Sequence, residues 1–287
     1  ASRIAGWDGS TWSALGSGMN GPVSALAVQA DGALAATGNF DVAGGVPANF
    51  IALWDGSGWS PAGIGLRSSG STLLPGPTGG LVVGGGFNVA GGIPAARVAR
   101  WDGQSWSPLG TGMNAQAQAM LALSNGGLVI AGDFGLSLAG GVAFGIARWD
   151  GSGWHSLGGG IRDANGNSLV NAISELSNGD LIVGGSFANA DGLPVGRIAR
   201  WDGAVWSPLG SGISGGLSRV NALANGGDQV VFAAGAFSTA GGVLANNIAR
   251  WDGSAWSVLG EGTGGQVFAL ARLPDGGGKE QVEFFES

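Results

Sequence analysis

One stretch of the chain, residues 169–210, alternates apolar and polar positions in a way that predicts four short β-strands. Leu169–Leu176 leads into a Ser-Asn-Gly-Asp turn, and Asn-Gly between two apolar runs is a strong hairpin signal. The next run, Leu181–Phe187, is almost continuously apolar, as in a strand buried on both faces. Arg197–Trp201 then alternates with a period of two and returns through an Asp-Gly turn as Trp206–Gly210. We label these predicted strands A, B, C and D in chain order.

The same unit recurs six times and is marked by the pattern Trp-Asp-Gly-x-x-Trp. The copies begin at Trp7, Trp54, Trp101, Trp149, Trp201 and Trp251, at spacings of 47, 47, 48, 52 and 50 residues, and they contain all 12 tryptophans. A period of this length, with several short strands in each unit, is typical of a β-propeller. The sequence therefore predicts an all-β repeat protein with four-stranded blades.

The phase of the repeat at the two ends predicts the number of blades. The chain opens with a C strand, Arg3–Trp7, and its D strand, and it closes with an A strand, Gln266–Leu273, followed by Glu280–Phe285. Phenylalanine ends the earlier B strands and recurs at Phe284. We therefore predict one domain, residues 1–287, forming a closed six-bladed β-propeller. Pairing of residues 1–18 with 266–287 would complete a composite blade and hide exposed sheet edges.

The B strands carry the residues of a family resemblance. Gly84-Gly85 and Gly184-Gly185 each close one of them, and a tryptophan follows in the next C strand, so the whole chain resembles the kelch and galactose-oxidase-like propellers. The chain departs from that pattern at Thr37-Gly38 and in having no tyrosine. Its C–D turns also resemble the Asp-box hairpin of sialidases, and its Trp-Asp dipeptide resembles that of WD repeats. The resemblance implies a propeller, but the oxidases' tyrosines and cysteine are missing, so we predict no cofactor.

Composition narrows the range of partners. Charged residues make up 11% of the chain, the formal net charge is −7, and Lys279 is the one lysine. This balance offers no basic surface to phosphate backbones or anionic lipids, so we expect no nucleic-acid partner. Cysteine is absent, which excludes disulfides and thiolate metal sites, and no apolar run is long enough to span a bilayer. Abundant glycine, alanine and serine favour a secreted, periplasmic or cell-envelope location.

The Trp-Asp-Gly units have a structural and a functional interpretation. A buried indole stabilises adjacent blades, the aspartate accepts backbone N–H groups across the turn, and the glycine supplies a positive φ. Because the motif accompanies every repeat, we interpret it as scaffold. The alternative is a ladder of indoles that stack on sugars.

Catalytic residues are few. A serine hydrolase needs a base, and the lone His155 lies in an outer D strand, where it is interpreted as a surface variant. A glycosidase built from Asp41, Asp133, Asp191 and Glu261 is an alternative, although no fixed spacing supports it. We therefore predict that the protein is not an enzyme.

Candidate binding residues lie where the repeats differ, because repeat scaffolds hold specific groups on variable loops. The D–A loops vary most, and we expect them to open on the same face as the B–C loops. They contain Arg67, Arg162 and Arg219. One of them also carries Asp163, Asn165 and Asn167, which resemble the start of a calcium loop. A glycine and the final carboxylate are missing at the required places, so an Asn-Gly turn is the preferred interpretation and we predict no metal.

These observations favour a non-catalytic binding or assembly module that docks a protein or a polymer through its variable loop face. The alternative is a carbohydrate-binding propeller or a glycan-active enzyme. A lectin should repeat polar and aromatic groups in equivalent loops, whereas the segment repeated here is Ala-Gly-Gly, as at Ala43-Gly44-Gly45. We therefore expect a protein partner or a larger assembly, with carbohydrate as the second possibility.

Overall fold

The computed structural model of the chain describes residues 2–76, 80–138, 141–162, 168–272 and 282–286. It divides into two compact units, Ala1–Met120 and Leu121–Ser287. The regular elements of the described residues are all β-strands. Within those residues, no helix with the length and apolar character of a membrane span is found.

The first unit consists of short β-strands. They are β1 (Ala5–Trp7), β2 (Trp12–Ala14), β3 (Val23–Val28), β4 (Leu34–Gly38), β5 (Val42–Ala43), β6 (Val46–Pro47), β7 (Ile51–Trp54), β8 (Trp59–Pro61), β9 (Gly70–Pro75), β10 (Leu81–Gly85), β11 (Val89–Ala90), β12 (Ile93–Pro94), β13 (Val98–Trp101) and β14 (Trp106–Pro108). Two antiparallel four-stranded sheets are ordered β3-β4-β7-β8 and β9-β10-β13-β14, and β1 pairs with β2 in a two-stranded sheet. The boundary between the units falls within β15 (Ala117–Ala122).

The second unit repeats the same arrangement. Its strands are β16 (Leu128–Leu138), β17 (Gly141–Trp149), β18 (Trp154–Ser156), β19 (Ile161–Arg162), β20 (Val170–Glu175), β21 (Leu181–Gly185), β22 (Asn189–Ala190), β23 (Leu193–Pro194), β24 (Ile198–Trp201), β25 (Trp206–Pro208), β26 (Ile213–Ser214), β27 (Arg219–Gly227), β28 (Val230–Ala236), β29 (Thr239–Ala240), β30 (Val243–Leu244), β31 (Ile248–Trp251), β32 (Trp256–Val258), β33 (Val267–Arg272) and β34 (Val282–Glu286). Two four-stranded sheets are ordered β20-β21-β24-β25 and β27-β28-β31-β32, and β33 pairs with β34.

The strand order agrees with the four-strand repeat expected from the sequence. In the stretch analysed first, β20, β21, β24 and β25 fall inside the predicted A, B, C and D strands. Their antiparallel pairing follows chain order. The prediction of an all-β fold built from four-stranded sheets is confirmed. The count of six blades and their closure stay predictions.

The B–C segments differ from the plain loops expected from the sequence. Four of them contain a hairpin of two-residue strands: β5-β6, β11-β12, β22-β23 and β29-β30. In three of these, the turn is the Gly-Gly of the Ala-Gly-Gly segment, with positive φ at both glycines. Strands this short give no detectable periodicity, which is why the sequence pattern did not predict them.

The C–D turns follow the predicted chemistry. In the second copy, Trp54 and Trp59 lie opposite each other across the β7-β8 hairpin. Oδ1 of Asp55 accepts the N–H groups of Ser57 and Gly58 at 2.8 and 2.9 Å, while Gly56 takes a φ of 98°. Each motif therefore closes a hairpin and fixes its two indoles as a cross-strand pair, with ring centroids 5.2–5.4 Å apart.

These turn carboxylates predict a loss of stability in acid. Backbone N–H donors are the main cause that lowers the pKa of Asp55 and Asp252 to about 2, and the pKa values of the other four turn aspartates are lowered in the same way. A carboxylate whose folded pKa lies below its unfolded value of about 3.9 stabilises the fold above that value and stops doing so as pH falls through the folded pKa. We expect the melting temperature to hold between about pH 7 and 5 and to fall between about pH 4 and 2. An unchanged melting temperature down to pH 2 would contradict this origin of stability.

The second tryptophan of the motif joins successive repeats. In copies two to six it is only 3–7% exposed. Four of these indoles donate from Nε1 to a backbone carbonyl of the preceding repeat at 2.8–2.9 Å: Trp59 to Leu15, Trp106 to Ala62, Trp206 to Leu157, and Trp256 to Leu209. Buried rings with an engaged N–H support the scaffold interpretation over a sugar-stacking ladder. The first copy differs, because Trp7 and Trp12 are 52% and 70% exposed.

Candidate functional site: the Arg67 cleft

The D–A segments and the B–C hairpins lie at the same end of the sheets. Met19 bridges Ala43, and Leu66 bridges Ala90. In the second unit, β19 pairs with β22 and β26 pairs with β29. We call this end, formed by D–A segments and B–C hairpins, the loop face. The C–D turns lie at the opposite end, because each C strand runs from a B–C segment to a C–D turn.

A cleft of about 540 Å³ opens on the loop face of the first unit. It is lined by Asn49, Phe50, Ile64, Gly65, Leu66, Arg67, Val89 and Gly92. We call this site the Arg67 cleft. Its volume is within the range of about 300–1,000 Å³ that is usual for ligand pockets.

On one side, the D–A segment that carries Arg67 is hydrogen-bonded to the hairpin of the following repeat. Leu66 is only 4% exposed and bridges Ala90, and the N–H of Arg67 donates to the carbonyl of Val89 at 3.1 Å. The D–A segment is thereby held in place on that side. Arg67 therefore projects from a backbone that a ligand does not have to order, which lowers the cost of binding.

On its other side, the same D–A segment is hydrogen-bonded to the preceding B–C segment. The N–H of Leu66 donates to the carbonyl of Asn49 at 2.9 Å, and Nδ2 of Asn49 donates to the carbonyl of Ile64 at 3.0 Å. A Cβ on Gly65 would lie 2.5 Å from that same Asn49 carbonyl oxygen, and Gly65 has a φ of 71°. Glycine is therefore required here for the two segments to approach.

Three residues that line the cleft depart from the repeat. Arg67 lies eight places after the second tryptophan of its motif, where the other copies have Asn20, Asn114, Arg162, Ser214 and Gly264. Ile64 replaces Ser17, Thr111, Gly159, Ser211 or Glu261, and Phe50 replaces Arg3, Arg97, Gly145, Arg197 or Asn247. The substitutions add one cation and two apolar side chains to one concave site. Departures from a repeat that converge in this way mark a specific surface.

The backbone of Phe50 belongs to the scaffold rather than to the site. Its φ is 71°, and Arg3, Arg97, Arg197 and Asn247 at the same position have values of 67–70°. The left-handed conformation therefore recurs with the repeat. What is particular to Phe50 is its ring, which packs against the core of the first unit instead of extending a guanidinium to a backbone carbonyl as Arg197 does.

Arg67 supplies the charge of the cleft. It is exposed and is the only charged residue in the lining. Within the part of the chain that the structure describes, its guanidinium makes no hydrogen bond or ion pair. Five donors in a planar fork are thus available to a ligand, and that fork matches a carboxylate or phosphate.

The other predicted binding residues have different surroundings. Arg162 ends β19, and its Cζ lies 4.6 Å from the centroid of the Phe144 ring. Arg219 is the first residue of β27 rather than a loop residue, and its Nε is buried with no hydrogen-bond partner among the described residues. The three residues that resemble the start of a calcium loop, Asp163, Asn165 and Asn167, lie outside the described residues. Within those residues, no cluster of three or more histidine, aspartate or glutamate side chains could hold a metal ion.

Three of the catalytic candidates, His155, Asp41 and Asp133, have structural partners. His155 is 58% exposed on β18, and its Nε2 lies 2.7 Å from Oδ2 of Asp150 in the adjacent C–D turn. Asp41 accepts a hydrogen bond from Nδ2 of Asn20, and Oδ1 of Asp133 accepts one from the N–H of Ser168 at 3.3 Å. These contacts give all three side chains a structural partner within the scaffold.

Comparisons with known proteins identify the fold. No family model matches the chain, and no curated protein matches it. Among solved structures, the chain is similar to the WD40 repeats of RRP9, with a TM-score of 0.53 and 14% identity over 85% of this chain and 68% of that one. WD40 repeats form β-propellers. This chain is a β-propeller repeat protein.

Two further solved structures resemble this propeller. YCF48 bound to D1 peptide matches with a TM-score of 0.53 and 18% identity, over 86% of this chain and 71% of that one. A catalytically inactive virginiamycin B lyase from Staphylococcus aureus, with quinupristin, matches with a TM-score of 0.58 and 14% identity, over 95% of this chain and 80% of that one. Identities this low establish a shared fold. The similar propellers include both a peptide-bound protein and a lyase.

Proposed function

We propose that this propeller is a non-catalytic binding module that docks a protein partner through its loop face, with the Arg67 cleft as the main contact. The observation that carries the proposal is the convergence of Phe50, Ile64 and Arg67 in one cleft. Arginine and aromatic residues are enriched among interface residues that contribute most to affinity. Peptide binding by the similar YCF48 and the interaction role of WD40 repeats are consistent with it.

Carbohydrate is the less favoured ligand. A sugar needs exposed aromatic faces or several free polar side chains. The lining of the Arg67 cleft offers the half-buried ring of Phe50, and Nδ2 of Asn49 is already engaged. A non-catalytic role is supported by the placement of His155 beside a C–D turn, at the end of the sheets opposite the loop face. From composition, we also propose a secreted, periplasmic or cell-envelope location. From the diglycines and tryptophans of the repeats, we propose that the propeller is kelch-like.

The docking proposal predicts that partner capture depends on the positive charge in the cleft and not on the net charge of the protein. We expect Arg67→Ala to weaken capture of a native partner by immobilised protein, at a cost of about 2 kcal/mol or more, as for an interface arginine that anchors a complex. Gln104→Glu is the matched control, because it changes the net charge by the same amount but lies in an exposed C–D turn. Equal capture by both variants would refute docking at the cleft, and binding of a glycan array that is independent of Arg67 would favour the lectin alternative.

We also propose that six blades close into a ring, with β1-β2 and β33-β34 as the two halves of the last blade. The β1-β2 pair has the C–D register, since Trp7 lies opposite Trp12. The β33-β34 pair has the A–B register, with a shift between Val267 and Ala269 that recurs between Val23 and Ala25 in β3.

Closure predicts that both chain ends are needed for a stable monomer. Deleting residues 279–287 removes β34, so we expect the truncated protein to melt well below the parent and to associate through the exposed edge of β33. Light scattering and thermal melting measure these effects. A monomeric truncated protein with unchanged hydrogen exchange at residues 4–7 would contradict closure.

A further inference from the structure

We infer that the Arg67 cleft takes a peptide segment in which a carboxylate lies beside an apolar side chain. The inference rests on the proposed docking function and names the chemistry of its ligand. It is carried by the make-up of the cleft: a guanidinium that makes no hydrogen bond or ion pair with the described residues, the apolar side chains of Phe50 and Ile64, and little other side-chain polarity.

The guanidinium selects for a carboxylate. Arg67 has no acidic neighbour among the lining residues, and the whole chain has a net charge of −7, so this is a local cation on an acidic protein. An arginine fork binds a carboxylate through two parallel N–H donors, and such charge-assisted bonds are about twice as strong as neutral ones. A ligand carboxylate would satisfy donors that the described residues leave to solvent.

The side chains of Ile64 and Phe50 favour an apolar group next to that carboxylate. Ile64 is 65% exposed, and its Cδ1 lies 3.1 Å from the Cβ position of Gly92, so its side chain extends across the cleft toward the next hairpin. Phe50 is half-buried on the core side. An apolar ligand group inserted between them would remove exposed hydrocarbon from water, which favours binding.

The small number of polar side chains favours a peptide over a sugar acid. Only Asn49 and Arg67 among the lining residues carry polar side chains, and Nδ2 of Asn49 donates to the Ile64 carbonyl. The hydroxyl groups of a sugar would lose water without gaining enough partners, which is unfavourable. A peptide presents a carboxylate and an apolar side chain with few other groups to satisfy.

The test uses short peptides and amide chemical shifts of the isotope-labelled full chain. Acetyl-Ala-Glu-Leu-Ala-amide offers a side-chain carboxylate, and acetyl-Ala-Ala-Leu with a free carboxyl end offers a terminal one. Their controls replace Glu by Gln or the free end by an amide. We expect at least one acidic probe to shift the amides of residues 49–50, 64–67 and 89–92, and to bind about tenfold or more tightly than its neutral control.

Three variants separate charge from shape. Arg67→Gln should remove the preference for the acidic probe over its neutral control, whereas Arg67→Lys should keep part of it because the charge remains without the fork. Ile64→Ser introduces the residue found at this position in two other copies. It should weaken binding of the acidic probe and of its neutral control by the same factor, so that the ratio of the two affinities does not change. Both positions are exposed, so the melting temperature of each variant should stay close to that of the parent.

The outcomes distinguish the ligand assignment from the docking proposal. Binding of either acidic probe supports the inference, and the probe that binds identifies the carboxylate as internal or terminal. No shifts from either probe at millimolar concentration, or shifts from glucuronic acid in their place, would overturn it. If capture of the native partner still depends on Arg67 in that case, docking stands and only the ligand chemistry fails. If capture does not depend on Arg67, both fail.

Discussion

Replacing Trp101 by alanine is expected to lower the free energy of unfolding by about 3–5 kcal/mol, the usual cost of deleting a large buried aromatic side chain. Trp101 is 5% exposed, and its indole centroid lies 5.3 Å from that of Trp106. The edge of its ring also packs against Gly63 of the preceding repeat, where an added Cβ would lie 3.1 Å from Cζ3 of Trp101. The substitution therefore opens a cavity between two repeats.

Urea unfolding measures this loss, and Val205→Ala provides the control. Val205 lies in a C–D turn and is 59% exposed, so its truncation should cost less than about 0.5 kcal/mol. If Trp101→Ala abolished ligand binding while leaving stability unchanged, the indole would be a binding group and the scaffold interpretation would be wrong.

A second large effect is expected at the hairpin that covers Trp256. Gly241 has a φ of 60°, and a Cβ there would lie 2.8 Å from Cδ1 and 2.9 Å from Cβ of Trp256. The indole is buried and hydrogen-bonded to Leu209, so it has little room to move. Gly241→Ala should cost about 1–2 kcal/mol for the left-handed backbone and about 1–3 kcal/mol more for overpacking.

The adjacent Gly242 provides a matched control. Its φ is 83°, but a Cβ there would meet no described atom within 4 Å. Gly242→Ala should therefore show only the backbone cost of about 1–2 kcal/mol. Equal losses for the two variants, measured by urea unfolding, would mean that the contact between hairpin and tryptophan does not contribute to stability.

The repeat could be predicted from sequence because its signals are local. The Trp-Asp-Gly-x-x-Trp hairpin depends on an aspartate and a glycine within one turn, and the continuous apolar run Leu181–Phe187 identifies a central strand. The B–C hairpins were missed because strands of two residues have no period to detect. They form through pairing with a D–A segment that is distant in sequence, as β22 does with β19.

The candidate site could be predicted only in part. Arg67 was found because a cation in a variable loop is conspicuous in a chain with few charges. Phe50 and Ile64 were missed, since apolar loop residues carry no chemical signal until the copies are aligned position by position. Even that alignment does not bring them together, because the cleft forms only when Leu66 pairs with the hairpin of the next repeat. Long-range pairing of this kind is set by the fold, not by local pattern.

Amide hydrogen exchange of the protein, alone and with the partner recovered by capture, tests the central claim most directly. If the loop face docks the partner on a scaffold held by tryptophans, protection should rise at residues 49–50, 64–67 and 89–92. The C–D turns at residues 55–58 and 102–105 should exchange unchanged. Protection confined to the C–D turns, with none in the Arg67 cleft, would contradict the account.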